Sequence, residues 1–203
     1  VAELDLQLKA LRDARASGAS AADKQRCENA SAEVVVETAM SWHFEATGTA
    51  DQRGTNDAKT MAAAAQLYKK IIDSWSSAEL AKVEYARLVR EDWPRMAQIK
   101  YARADLLYAQ EKWAECGPAF DEALAEDPKA ADAAEAAHAA VLCYQKTYDK
   151  EHAAGAARRG IGQMPGSVRQ EVGDELFAAK PMTEHQTAMI GAFNRYICHV
   201  KPA

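Results

Sequence analysis

The chain has 203 residues, 48% of them apolar and 27% charged, with a net charge of −5. That length suits one large domain or one extended repeat array, and the mixed, mildly acidic charge offers no basic patch for nucleic acid or for an anionic membrane. Richness in Ala, Glu, Lys, Leu and Arg, with little alternation of Val, Ile and Thr, points to an all-α fold, and no apolar run is long enough to span a bilayer.

The first predicted helix covers 2–16, with Leu4, Leu8 and Leu11 on one side. Ser17 to Ser20, with Gly18 inside, breaks it. A second helix over 21–46 carries Val34, Val35, Thr38 and Trp42 at helical spacing. The polar, glycine-bearing stretch GTADQRGTND, 48–57, is a loop. Helices follow over 58–74 and 78–91. Pro94 then disfavours helical geometry in the residue before it, so a corner is expected at 92–94. Further helices fit 95–110, 113–126, 131–147 and 151–159. GIGQMPG, 160–166, is a break, and 167–179 fits another helix. The last helix opens at Thr183, where T-E-H-Q fits a capping box with Gln186 reaching back. Ile190, Phe193, Ile197 and Val200 form its apolar stripe.

Two segments repeat. Cys116, Phe120, Ala123 and Pro128 have the same spacing as Ala64, Tyr68, Ile71 and Ser76, so AQLYKKIIDSW and GPAFDEALAED are comparable helices, each closing a helix pair. An inserted helix at 78–91 accounts for their separation beyond one repeat unit. On these residues the chain resembles the tetratricopeptide (TPR) family, whose unit is a helix–turn–helix with small residues where the helices touch. Residues 97–130 fit one unit. Ala104 and Cys116 fill small positions, Leu107 and Phe120 large ones, Ala123 the next small site and Pro128 the closing proline. Lys100 and Arg103 stand where the family places apolar residues, and Pro118 is tolerable only in the first turn of its helix. Trp42–His43, L-Y-K-K-I-I at 67–72 and E-A-A-H-A-A-V-L at 135–142 resemble envelope TPR proteins of delta-proteobacteria, components of motility and outer-membrane machines.

The resemblance implies a TPR-like helical-repeat solenoid of antiparallel helix pairs, a single domain over 1–203. In it, 1–30 are N-terminal capping helices, 31–160 the repeats with the extra helix, and 161–203 the C-terminal helices. It implies a concave groove lined by first helices, with Gln98, Tyr101, Asp105 and Tyr108 facing a peptide or helix of a protein partner. In such a stack the second helix of one unit packs antiparallel on the first helix of the next. Cys116 opens one such helix and Cys143 lies near the end of the next, so the resemblance implies a disulfide between them. The alternative is two small buried apolar residues. Cys27 and Cys198 pair only if the chain ends meet.

No catalytic constellation is legible. H-F-E at 43–45 matches the H-x-E of zinc deaminases without the P-C-x-x-C that such a site needs. The five histidines, His43, His138, His152, His185 and His199, are scattered singly, so no metal site is expected. Gly160, Gly162 and Gly166 lack the strand and the G-K-S/T ending of a phosphate loop. N-A-S at Asn29 is a glycosylation pattern with meaning only in a eukaryotic secretory pathway. Trp42, Trp75, Trp93 and Trp113 read as core, with Trp93, at the corner, the one expected to be exposed. The expected function is a non-catalytic scaffold or adaptor, without cofactor, in a bacterial envelope assembly. The alternative is a structural domain of a larger chain whose groove is filled by its own helices. Resemblance places it in the periplasm or at the outer membrane, with the cytoplasm as alternative. The chain opens at Val1 without methionine, which is compatible with a removed leader or anchor, so the N-terminus does not give the compartment.

Overall fold

The computed structural model describes residues 2–49, 51–84, 93–158 and 181–199. Among them the chain is helical throughout: α1 (Ala2–Ala16), α2 (Ala21–Thr47), α3 (Ala58–Ser74), α4 (Ser77–Leu80), α5 (Met96–Ala109), α6 (Trp113–Glu126), α7 (Ala133–Arg158) and α8 (Glu184–His199). Packing is sequential. α1 lies on α2, α2 on α3, α3 on α5, α5 on α6, α6 on α7 and α7 on α8, with a lighter contact between α5 and α7.

Side-chain caps set several helix starts. Ser20 accepts a hydrogen bond from the Asp23 N–H at 3.1 Å, and Asp57 accepts one from the Thr60 N–H at 2.8 Å. The box expected at α8 is present: the Gln186 N–H donates to Thr183 Oγ1 at 3.2 Å, and the Thr183 N–H donates to Gln186 Oε1 at 3.0 Å. The 48–57 loop folds tightly through a single bridge between Gly48 and Arg53. A Cβ on Gly54 would fall 2.4 Å from Ala46 O and from Gly48 N, so only glycine lets the loop close on the end of α2.

The α5–α6 turn ends α5 in a Schellman arrangement. The Lys112 N–H donates to Leu107 O at 3.0 Å and the Glu111 N–H to Tyr108 O at 2.9 Å. Glu111 adopts φ 55°, where an L side chain is disfavoured. Glu111→Gly is therefore expected to raise stability by about 1 kcal/mol, measured as a higher midpoint in urea with unchanged slope.

Two apolar clusters form the interior. One joins α1, α2, α3 and one side of α5 through residues such as Leu8, Leu11, Val35, Leu67, Tyr68, Ile71, Ile99 and Leu106. The other joins α5 to α6, α7 and α8 through Ala104, Leu107, Cys116, Phe120, Ala137, Ala140, Cys143 and Ala192. The positions matched in the repeat are matched in burial: Ala64, Tyr68 and Ile71 on α3, and Cys116, Phe120 and Ala123 on α6, are all buried.

Several expectations are corrected. The helix expected over 78–91 is, where described, the four-residue α4, capped by a Ser76–Glu79 box and followed by a turn at 81–82; residues 85–91 lie outside the described set. The helices expected at 131–147 and 151–159 are one, α7, because nothing at 148–150 breaks a helix. The 160–166 break and the 167–179 helix fall outside the described residues. On α2 the inward residues are Val35, Val36, Ala39 and Ala46, while Val34 is exposed and the Thr38 hydroxyl turns back to Val34 O at 2.7 Å. Pro118 is the sixth residue of α6 rather than a first-turn residue; it is exposed, so the carbonyl that loses its intrahelical partner faces outward. Trp93 is half-buried against the first cluster, and Trp75 is fully buried.

The largest correction concerns α8. Its stripe points outward, with Ile190, Phe193 and Ile197 exposed at 43%, 41% and 66%. Val200 lies outside the described residues. The helix instead lays Ala188, Met189, Ala192 and Tyr196 on α7. Two polar anchors fix that rotation: Arg195 reaches Asp121 of α6 at 2.5 Å, and His185 Nε2 lies 3.1 Å from Tyr144 O. Small side chains on both helices allow close approach, a geometry that larger residues would hold apart.

Candidate functional site

α5 is packed through Met96, Ile99, Ala104, Leu106 and Leu107, and its cations tie it to its neighbour. Lys100 and Arg103 do not face the interior. Lys100 Nζ pairs with Glu126 at 2.6 Å and Arg103 with Glu122 at 3.9 Å, both on the antiparallel α6. Ser77 also donates to Glu126, tying α4 to the same carboxylate. With its cations committed to α6, α5 presents a second face made of Gln98, Tyr101, Asp105 and Tyr108. These recur at three- and four-residue spacing along one side of the helix.

The four residues are differently engaged. Gln98 is exposed and accepts a hydrogen bond from the Arg95 N–H at 2.8 Å, capping α5. The Tyr101 ring meets Phe120 edge-on at 5.7 Å, and Tyr108 meets Trp113 edge-on at 5.3 Å, so both rings are half-buried. Asp105 is half-buried between them. Across from this face stand Asp132, just before α7, and Glu135 in its first turn. Burial, then the charges of Glu135, Asp105 and Asp132, push the Tyr101 hydroxyl well above its ordinary pKa; Glu135 also draws its hydrogen bond. Burial and then Glu135 raise the Asp105 carboxyl above the usual carboxylate range. Glu135 and Asp132 are the members of this face that sequence reasoning missed, since they come from the next helix and only stacking brings them here.

A raised carboxyl pKa has a definite sign. The folded state holds the Asp105 proton more tightly than the unfolded chain. Its contribution is present below the unfolded carboxylate pKa and is lost as pH rises through the folded value. Asp105→Asn is thus expected to stabilise the protein at neutral pH and to have little effect in acid. Denaturant midpoints measured from pH 3 to pH 7 check this; equal shifts at every pH would contradict it.

Behind this face the sulfurs of Cys116 and Cys143 are bonded, 2.01 Å apart with Cα atoms at 5.9 Å, linking α6 to α7. Both residues are fully buried. Beside them the Tyr144 ring lies over Gly117, where a Cβ would meet ring carbons at 3.0 Å, and its hydroxyl donates to Asp121 at 2.8 Å. Cys27 and Cys198 are free thiols.

The rejected motifs have structural explanations. His43 is half-buried, its Nδ1 3.2 Å from the Tyr68 hydroxyl, and desolvation lowers its pKa; Glu45 is exposed. Asn29 sits inside α2 with its amide oxygen taking hydrogen bonds from Gln25 and from the Glu84 N–H. Among the described residues no three His, Cys, Asp or Glu side chains group so as to hold a metal ion, and no helix is long and apolar enough to cross a membrane. A hollow of about 620 Å³ lies between α4, Trp93–Pro94 and the end of α6, with Leu80, Val83, Trp93, Pro94 and Met96 in its walls. Of the two carboxylates in its lining, Glu126 is already held by Lys100 and Ser77, and Asp127 accepts a hydrogen bond from the Lys129 N–H at 3.0 Å.

Comparison with family models, with curated proteins and with solved structures finds no match to this chain.

Proposed function

We propose that the chain is a non-catalytic scaffold that holds a peptide or helix of a protein partner along the face shared by α5 and α7. The observation that carries this reading is a cluster of two half-buried tyrosines, Tyr101 and Tyr108, with the half-buried carboxylates Asp105 and Asp132 and the exposed Glu135, while Lys100 and Arg103 of the same helix are paired with α6. Uncompensated carboxylates beside aromatic rings suit a segment carrying Lys or Arg, which gains both an ion pair and a ring face. The TPR-like reading is supported by the sequential pairing of α2 with α3 and α5 with α6, and by the light side contact of α5 with α7, the contact expected of two first helices that line one groove. The buried disulfide supports an oxidising compartment, and with the residue-level resemblance it favours an adaptor in a bacterial envelope assembly.

The test is cross-linked capture of partners from the native cells by the wild-type chain and by Asp105→Lys with Glu135→Lys. Loss of a defined set of envelope proteins from the charge-reversed variant, with its thermal midpoint retained, supports the reading. Capture that is indifferent to charge reversal overturns the assignment of this face. Recovery of only a longer chain containing these residues favours the second reading, a structural domain whose groove its own helices fill.

A further inference from the structure

We infer that His43 and Tyr68 form an acid-sensitive joint between α2 and α3, in which protonation of the His43 ring takes away the acceptor of the buried Tyr68 hydroxyl and loosens this helix pair. The two side chains meet where the helices pack. His43 Nδ1 lies 3.2 Å from the Tyr68 hydroxyl, and the rings stand edge to face with centroids 5.8 Å apart. Tyr68 is 2% exposed and belongs to the first apolar cluster, whereas His43 is half-buried, so its ring remains open to protons from solvent. Among the described residues His43 is the partner of that hydroxyl. A buried phenol proton with this one acceptor assigns the neutral ring: Nδ1 carries the lone pair and Nε2 the hydrogen. Burial raises the pKa of the Tyr68 hydroxyl, so it stays a donor throughout.

The charge state of the ring decides whether the bond exists. An imidazolium carries hydrogen on both nitrogens, so its Nδ1–H would face a hydroxyl obliged to turn its own hydrogen into an apolar interior. A buried donor left without an acceptor costs more than the hydrogen bond contributes. Nothing nearby offsets the new charge. One turn from His43 on α2 stand Ala39, Met40, Ala46 and Thr47, and one turn from Tyr68 on α3 stand Ala64, Ala65, Ile71 and Ile72, none of them ionisable. Tyr68 is the titratable group facing the ring from α3. Among the described residues no charge of α1, α3 or the 48–57 loop bears on the ring, and desolvation holds its pKa below the ordinary histidine value. The folded state thus binds this proton less tightly than the unfolded chain. Stability is full above the ordinary histidine pKa and is lost as pH falls from there through the folded value. A histidine contact in the second cluster behaves differently. His185 Nε2 meets the carbonyl oxygen of Tyr144, to which a ring N–H donates in either charge state, so acid leaves that contact intact.

Ring resonances of the full chain, followed by NMR from pH 8 to pH 5 and assigned to His43 by their loss in His43→Gln, test this. The expected result is a His43 titration below the ordinary histidine range, with the Nε2–H tautomer in the neutral form. The titration midpoint should rise in Tyr68→Phe, where the neutral ring has no hydroxyl to accept from. In parallel, the difference in urea midpoint between wild type and His43→Gln should shift against the wild type as pH falls from 7 to 5. An ordinary His43 titration overturns the proposal, and so does an Nδ1–H tautomer. A titration unmoved by Tyr68→Phe overturns it too, since burial alone would then set it. If His43→Gln does not fold, the resonance that moves in Tyr68→Phe supplies the assignment, and the absence of any such resonance counts against the joint.

Discussion

Replacing Cys116 and Cys143 together by alanine is expected to lower the unfolding free energy by about 3–4 kcal/mol, the chain-entropy value for a loop of 27 residues. For a chain of this size that corresponds to a fall of roughly 10 °C in melting midpoint. The effect is large because the bond joins consecutive helices, whose separation is otherwise opposed by side-chain packing and by the Tyr144–Asp121 hydrogen bond. Both sulfurs are buried, so a reductant added to the native wild type reaches them only through opening of α6 from α7. Two denaturation series decide the matter. Wild type under reducing conditions should converge on the midpoint of the double variant, and the variant should be indifferent to reductant. Equal midpoints for oxidised wild type and the variant would mean that the bond contributes nothing to the native fold.

Phe120→Ala is expected to cost about 3–5 kcal/mol, the range for an aromatic removed from a well-packed interior. Phe120 is 1% exposed, lies among residues of α5 and α7, and supports the edge of Tyr101. Its counterpart in the repeat, Tyr68, makes a useful contrast. There the ring is equally buried, but its hydroxyl meets His43. Tyr68→Phe keeps the ring and is expected to cost only about 1 kcal/mol, the value of one hydrogen bond. The pair, measured by urea denaturation, separates the packing of the repeat's aromatic position from the polar contact peculiar to its first occurrence. A small loss for Phe120→Ala would mean that α6 is held on α5 mainly by the Lys100–Glu126 and Arg103–Glu122 pairs.

Helix ends were legible where a residue with local chemistry marked them. Ser20, Asp57 and Thr183 cap through their own side chains, and Gly48 and Gly54 permit a loop that no larger residue could close. The rotation of helices about their axes was less legible. The large apolar residues of α8 marked a stripe, but the inner side is chosen by Ala188 and Ala192, which let the helices approach, and by the reach of Arg195 to Asp121. Alanine gives a weak periodic signal, so that side was hidden. α7 ran through an expected interruption because the break had been inferred without a glycine or proline to cause it. For the candidate site, spacing alone placed Gln98, Tyr101, Asp105 and Tyr108 on one side of α5. Asp132 and Glu135 were beyond such reasoning, since their approach depends on how α7 stacks past α6.

Among the described helices, α5 alone contributes to both apolar clusters: Met96, Ile99 and Leu106 to one, Ala104 and Leu107 to the other. It is therefore a shared wall between two blocks, which are joined besides by the Ser77–Glu126 hydrogen bond between α4 and α6, and their coupling rests mainly on one helix of 14 residues. The disulfide lies wholly in the second block. Oxidation is thus expected to deepen the protection of α6 and α7 against amide exchange while leaving α2 and α3 near their intrinsic level, so that one covalent bond sets a fast-opening half against a slow-opening one. The α5 face, whose Tyr101 and Tyr108 pack against the second cluster and whose Asp132 and Glu135 come from the start of α7, belongs to the slow-opening half.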